Sequence, residues 1–424
     1  MDINAYRILP EGYSNVRFGH PEYTSWMEEC MSWKENCYIG DWSFLWVYKY
    51  SGPDVLKLFS DISINSFANF NIGQSKHVVH CNESGKVIHD GILSRLGEDE
   101  YVLFGRNGFY VNWYLDKHNY NVTVTLEDWY NLQVAGPNAL SLLEEACCES
   151  LRDVKFMYNK RINIRGKSMW ALRQGMSGEP GFELQGPITD KYELVDDLME
   201  IGKKYDAHRL GARCAAINHL EACFPTIIVD YIPAFMDGDL LEYYNIFKAS
   251  MPAHTTDIAL AGSYEGDTIS DYYRSPIELG WGKSIKFDHD FVGRKALEEE
   301  LANPKRIIRT LVWNAEDVID IYASMFKKNG HFDYIEFPRF QRGVMYADKV
   351  MKNGKFVGVT SSYGYSYYFR EMLCLCVIDI EESEIGNDVS IIWGTPGRPQ
   401  KEVRAKVAPA PYKQDRRKIN LSST

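Results

Sequence analysis

The amino-acid sequence predicts an α+β body followed by a separate antiparallel β domain, either a barrel or a sandwich. Across the first 300 residues, helical spacings are interspersed with period-two strand patterns. Beyond Lys295-Ala-Leu-Glu-Glu-Glu-Leu-Ala-Asn-Pro the texture changes to β-type runs, and Asn353-Gly354 between two of them is a strong hairpin signal. The chain therefore divides into residues 1–300 and a C-terminal β domain, 301–424.

Residues 22–37 carry apolar side chains at helical spacing. A short strand is expected over 44–48. Ser51-Gly-Pro-Asp then opens a helix through Phe59, with Pro53 suited to its first turn. Strands follow over 86–96 and 101–104, then over 122–126 and 131–135. The last runs through Gly136-Pro137 into a helix ending near Cys148. Alternating stretches at 170–174 and 182–185 flank a glycine-rich turn, and Thr189-Asp190 caps an amphipathic helix (YELVDDLMEIGKKY). Residues 224–273 read as a long, aromatic-rich irregular connection, the kind that usually carries function. In the C-terminal part, strands are expected over 307–313, 349–351, 356–361, 373–380, 389–393 and 403–407.

With 424 residues, 45 % of them apolar, the chain can bury a large core. A net charge of −11 without a basic run argues against nucleic acid as a partner, although a local basic pocket stays possible. Nine scattered cysteines without a C-x-x-C pair fit reduced, mostly buried thiols in a cytoplasmic enzyme. No apolar run reaches the ~20 residues that span a bilayer, and the N-terminus lacks the regions of a targeting sequence.

The most informative segment is Met169–Pro187. Gly175, Gly178 and Gly181 let the backbone approach another molecule closely. Glu183 stands between Phe182 and Leu184, so strand parity puts it on the opposite face from both. A carboxylate fixed on a strand can accept two parallel N–H bonds from a flat heterocycle such as a pterin or purine; it can equally be a solvated edge-strand residue. Dinucleotide, Walker and H-E-x-x-H motifs are absent. Gly175-Met-Ser177-Gly-Glu179 fails the nucleophile-elbow pattern at its fifth residue, and Phe287-Asp-His-Asp-Phe291 reads as a structured turn rather than a metal site.

Four ordered blocks resemble the glycine-cleavage T-protein (aminomethyltransferase) family. They are Ser84-Gly-Lys-Val-Ile-His-Asp90-Gly-Ile-Leu, Leu132-Gln-Val-Ala-Gly-Pro137-Asn-Ala, Gly175-Met-Ser-Gly-Glu-Pro-Gly-Phe-Glu183 and Gly280-Trp-Gly…Phe287-Asp-His-Asp-Phe-Val-Gly293-Arg. Within the family, the chain is more similar to the tetrahydrofolate-dependent O-demethylases of methoxylated aromatic acids such as vanillate and syringate. That likeness extends through Leu220-Glu-Ala-Cys-Phe-Pro225, Pro233-Ala-Phe-Met-Asp-Gly238 and Ile321-Tyr-Ala-Ser-Met-Phe326 to Gly364-Tyr-Ser366, nearly the whole chain. The resemblance implies a cloverleaf of two interleaved α+β domains and a C-terminal antiparallel β-barrel, with folate in the central hole. It implies that Glu183 holds the pterin's amino edge, that Met176 flanks the ring, and that Trp281 and Phe104 wall the pocket. Arg106 matches an arginine directed to the substrate carboxylate.

The departures fall on the proton-handling groups. His89 stands where T-proteins carry an aspartate, with Asp90 at the following position. Met236 takes the place of a demethylase tyrosine, Phe44-Leu45 that of a histidine pair, and His219 that of a T-protein arginine. Transfer of an ether methyl group to folate N5 leaves charge on the departing oxygen, which a general acid or oxyanion donor must meet. His89 is the first candidate, with Tyr231 and Asp237 second; Phe44 and Met236 would face the substrate. The expected reaction yields a phenol and 5-methyltetrahydrofolate from a small-molecule donor, in a monomer or homodimer without nucleic acid or membrane. The alternatives are an N-methyl, S-methyl or methylenedioxy donor, of which a cation would suit aromatic walls, or a non-catalytic folate-binding regulator.

Overall fold

The computed structural model describes residues 19–236, 238–250, 259–338 and 344–423. In the first part the elements are α1 (Trp26–Glu35), β1 (Cys37–Asp41), β2 (Val47–Ser51), α2 (Val55–Ile62), β3 (Ser75–Cys81), β4 (Val87–Gly97), β5 (Glu100–Phe104), α3 (Gly108–Lys117) and β6 (Thr123–Glu127). The chain continues with β7 (Trp129–Ala135), α4 (Ala139–Cys147), β8 (Asn159–Ile164), β9 (Lys167–Leu172), β10 (Gly181–Pro187), α5 (Lys191–Gly202), β11 (Ala207–Arg209), α6 (Ala212–Glu221), α7 (Leu241–Ser250), β12 (Ala259–Ala261) and α8 (Arg294–Ala302). The last part holds β13 (Arg306–Trp313), α9 (Ala315–Ser324), β14 (Val344–Tyr346), β15 (Lys349–Lys352), β16 (Lys355–Ser366), β17 (Glu371–Asp379), β18 (Asp388–Trp393) and β19 (Lys401–Ala408).

Two sheets interleave along the chain. The first, ordered β11-β1-β7-β10-β9-β8, is antiparallel except for the β1–β11 pair. The second, β3-β4-β5-β2-β6, is built entirely from residues between β1 and β7. Each sheet covers one face with helices. Leu132, Val134, Phe182 and Leu184 pack with Leu142, Leu143, Leu194 and Leu198 from α4 and α5. Tyr50, Leu93 and Leu103 pack with Leu58 and Phe59 of α2, Tyr110 of α3, and Tyr243 and Phe247 of α7. Each such fully buried side chain contributes about 1.5–3 kcal/mol.

The C-terminal strands close into a barrel, β13-β17-β16-β15-β18-β19, which resolves the barrel-or-sandwich choice. Asn353 and Gly354 turn β15 into β16 with φ of +51° and +76°, the left-handed pair that a two-residue hairpin requires. Contacts cross the expected division after residue 300. β12 pairs in parallel with β14, and Leu421, beyond the barrel, is buried in the core of the first sheet.

Local expectations shift in three places. The strand expected over 44–48 starts at Val47, because Leu45 N–H turns back to the Trp42 carbonyl (3.0 Å). Thr189 and Asp190 do not cap α5: residues Ile188–Asp190 form a 3-10 turn leading into it, and neither side chain bonds its first turn. The connection at 224–273 is only partly irregular, since it contains α7 and β12.

Candidate active site

β10 pairs with β7 and β9, so register decides what surrounds Glu183. Its partners are Gln133 and Leu172, while Gln185 lies opposite Asn131 and Trp170. Phe182 and Leu184 enter the helix-covered core, and Glu183 points to the other face, where it is buried rather than solvated. Three amides turn their N–H groups to its carboxylate at long range: Asn131 Nδ2 and Gln133 Nε2 at 3.4 Å, and Gln185 Nε2 at 3.5 Å. Burial pushes the Glu183 carboxyl up to about 7, against the amides, which favour its charge.

The oxygens of two of these amides, Asn131 Oδ1 and Gln185 Oε1, are buried without a hydrogen-bond partner. Buried polar atoms are rarely left so, and each costs about 1–3 kcal/mol. A carboxylate flanked by two unsatisfied acceptors is a strip that accepts and does not donate. It fits the donor-rich amino edge of a pterin, with Glu183, Asn131 and Gln185 as the residues that would hold it.

From this strip a continuous wall leads away. The Tyr38 hydroxyl meets Gln133, and Tyr38 packs in one cluster with Trp42, Met176, Phe44 and Phe224. His219 on α6 places Nε2 3.1 Å from the Met176 sulfur, stacks on Trp42 and lies beside Phe224. Phe224 is 6.3 Å, centroid to centroid, from His77, whose ring meets the edge of Trp281 at 4.9 Å. Met176 and Trp281 thus belong to one wall. Phe44 joins it on the Met176 side, whereas Met236 packs in the aromatic layer of the second sheet. Phe104 is a core residue, packed against Val47, Leu96, Trp129 and Trp170, at the far end of the face that carries Glu183.

Beyond Trp281 the wall ends in a titratable group. Asp90 accepts from the Tyr231 hydroxyl at 2.5 Å and meets His77 Nε2 at 2.9 Å. Burial raises the Asp90 carboxyl, but the bond and charge of His77 and the Tyr231 bond outweigh it and hold it below the usual value. The ionised carboxylate can only accept, so His77 Nε2 carries the proton between them. Tyr231 is itself pushed well above the phenol range by burial and by Asp90. Its loop is pinned by Asp230, which accepts from Ser361 Oγ (2.7 Å), Ser362 Oγ (2.6 Å) and Thr226 N–H (2.8 Å). Ile228, a β-branched residue at φ +69°, shows that this loop is held in a strained turn.

His89 does not join this group. Adjacent strand residues face opposite ways, and His89 points into the aromatic layer, 5.1 Å from Phe235 and 5.9 Å from Phe247. Its Nε2 meets the Tyr243 hydroxyl at 3.1 Å, and burial lowers its pKa to about 3, so it is a neutral core residue. The titratable group at the end of the wall is therefore Asp90, one position along the strand from His89. Met236 packs on the same aromatic layer, its N–H donating to Tyr273 Oη at 3.3 Å. Arg106 is half-buried at the end of β5, beside the Trp46–Phe109 pair whose rings lie 4.1 Å apart. Asp237 lies outside the described residues.

A family model described as the GCVT N-terminal domain matches residues 7–236. This chain belongs to the GCVT family. The GCVT-family chain is 32% identical over 423 residues to the syringate O-demethylase of a Sphingobium species, covering 94% of this chain and 91% of that relative. It is 31% identical over 414 residues to the sesamin methylene transferase of a Sinomonas species (92% and 89% covered), and 24% identical over 398 residues to a Thermotoga aminomethyltransferase (92% and 90%). The solved glycine cleavage system aminomethyltransferase T of Bartonella henselae shares the fold, with a TM-score of 0.70 over 96% of this chain and 94% of that one, at 18% identity. The GCVT-family chain is an enzyme, a one-carbon transferase, and tetrahydrofolate is the cofactor of its kind. Among the described residues, no helix is long and apolar enough to cross a membrane.

Proposed function

We propose that this enzyme moves the O-methyl group of a methoxylated aromatic acid to tetrahydrofolate, yielding a phenol and 5-methyltetrahydrofolate. The observation that carries the reading is the buried acceptor strip of Glu183, Asn131 and Gln185, which suits a reduced pterin. When bound there, tetrahydrofolate supplies N5 as the nucleophile.

The chain's own residues supply the rest. Glu183 orients the ring edge, and Met176, Trp281 and the aromatic wall between them exclude water, which strengthens every polar contact inside. The ionised Asp90 carboxylate holds the proton-bearing His77 and Tyr231, and the proton for the leaving oxygen comes from this pair. His77 is the more accessible of the two, since Tyr231 is fully buried. Arg106 beside Trp46 and Phe109 supplies a cation and aromatic surface for a benzoate-like donor. The 32% identical syringate O-demethylase supports an ether donor. The 31% identical sesamin methylene transferase favours a second reading, in which a methylenedioxy carbon is transferred. The enzyme works in the cytoplasm, as a monomer or homodimer.

The test is incubation with tetrahydrofolate and a panel of methoxylated benzoates and methylenedioxy arenes, with both products read by mass spectrometry. A methoxybenzoate giving a phenol and 5-methyltetrahydrofolate is expected. Turnover of methylenedioxy compounds alone would establish the second reading instead.

A further inference from the structure

Against the glycine-rich loop lies a buried charge cluster that the reaction does not use. The segment following the barrel runs along the loop from Lys413 to Ile419. Lys413 Nζ bonds the Glu179 carboxylate and donates to the Ser177 carbonyl at 3.2 Å. Arg416 N–H donates to the Gly178 carbonyl at 2.7 Å, and the Arg173 guanidinium, just before the loop, donates to the carbonyls of Arg417 and Ile419. Both members of the Lys413–Glu179 pair are buried, with side chains 7% and 5% exposed. A second buried pair, Lys34–Glu221 at 2.7 Å, joins α1 to α6 beside it, and Ser366 Oγ donates to Glu221 at 2.6 Å.

An exposed ion pair contributes little, but breaking a buried one leaves an uncompensated charge and costs several kcal/mol. Such a pair is expensive to keep, and this one joins the tail to the loop that carries Met176 in the aromatic wall. We infer that Lys413 is a positioning residue for the cofactor wall: its ammonium holds Ser177 and Glu179, and so fixes Met176 and the entry into β10. This rests on the reading of Glu183 as the pterin anchor.

The charged groups facing Lys413 are Glu179 from the loop, Lys34 from α1, Glu221 from α6 and Arg416 from its own segment. Burial is the largest influence and lowers the lysine to about 8, although Glu179 opposes it. The grip therefore depends on a proton that is lost as pH rises through about 8. An arginine at the same place would keep its charge.

The experiment is titration of the full chain with tetrahydrofolate between pH 6 and 9.5, followed by tryptophan fluorescence, for the unaltered protein, Lys413→Met and Lys413→Arg. For the unaltered protein, affinity should fall above pH 8. Lys413→Met should weaken binding at least tenfold at pH 7 and lose that alkaline fall. Lys413→Arg should bind within threefold of the unaltered protein at pH 7 and stay level to pH 9.5, a result that stands even if the methionine variant does not fold. Binding by Lys413→Met within twofold, or the same alkaline fall in Lys413→Arg, would overturn the inference while leaving the anchor intact. Failure of the unaltered protein to bind tetrahydrofolate at any pH would overturn the anchor reading, and the inference with it.

Discussion

Asp90 accepts from Tyr231 and meets His77, whereas His89, one residue earlier on β4, is sealed among Phe235, Tyr243 and Phe247. The two environments predict opposite behaviour. Asp90→Asn should lower turnover of a methoxybenzoate at least tenfold with tetrahydrofolate affinity little changed, because the lost carboxylate holds the two donors proposed to protonate the leaving oxygen. His89→Phe should leave turnover within threefold. His89 should show itself in stability instead. Its folded pKa, lowered from 6.5 to about 3, means that the unfolded chain binds more protons as pH falls below 6.5, so acid destabilises the fold. At pH 5 this amounts to about 2 kcal/mol, which the phenylalanine variant should recover relative to pH 7.5 in urea unfolding. Equal turnover losses in both variants would count against the assignment of roles. This parity is not legible in sequence, because Val87-Ile-His-Asp-Gly-Ile-Leu has no apolar alternation to mark a face. Around Glu183 the flanking Phe182 and Leu184 marked it clearly. The same alternation ran through Asn131-x-Gln133 and Glu183-x-Gln185, a polar stripe that could have been read from the chain.

At the level of elements, the approach of β10 to β7 depends on Gly181. A Cβ there would lie 2.5 Å from Ala135 Cβ and 2.8 Å from the Val134 carbonyl, both on the neighbouring strand. Gly181→Ala should therefore push β10 off β7, shift Glu183 from its strip and lower thermal stability, with a ΔΔG of about 1–3 kcal/mol. Unfolding midpoints and tetrahydrofolate affinity should fall together, and an unaltered midpoint would mean that the strands can absorb the methyl group. Long alternating strands such as β13, β18 and β19 were visible in sequence to within one or two residues of their observed ends. Strands such as β1 and β3, with little alternation and with pairing partners distant in the chain, were not. Their identity comes from tertiary pairing, which outweighs local preference.

Across the whole molecule, the site is assembled from segments far apart in sequence. The first sheet supplies the acceptor strip, the second supplies Asp90 and His77, and α6 with the following loop supplies His219, Phe224 and Tyr231. The barrel pins that loop through Ser361 and Ser362, and the terminal segment grips the glycine-rich turn. The change of texture near residue 300 located the barrel but could not reveal these returning contacts, because single side chains such as Asp230 and Lys413 carry no periodic signal. The proposed function stands on Glu183 as the seat of the pterin. Its most direct test is calorimetric titration of tetrahydrofolate into the unaltered protein and Glu183→Gln near pH 7, in buffers of different ionisation enthalpy. The unaltered protein should release a fraction of a proton on binding, as ring donors draw the carboxyl down from about 7, and the glutamine variant should release none and bind more weakly by about 1.5–3 kcal/mol. Equal affinity and equal proton release in the two proteins would contradict it.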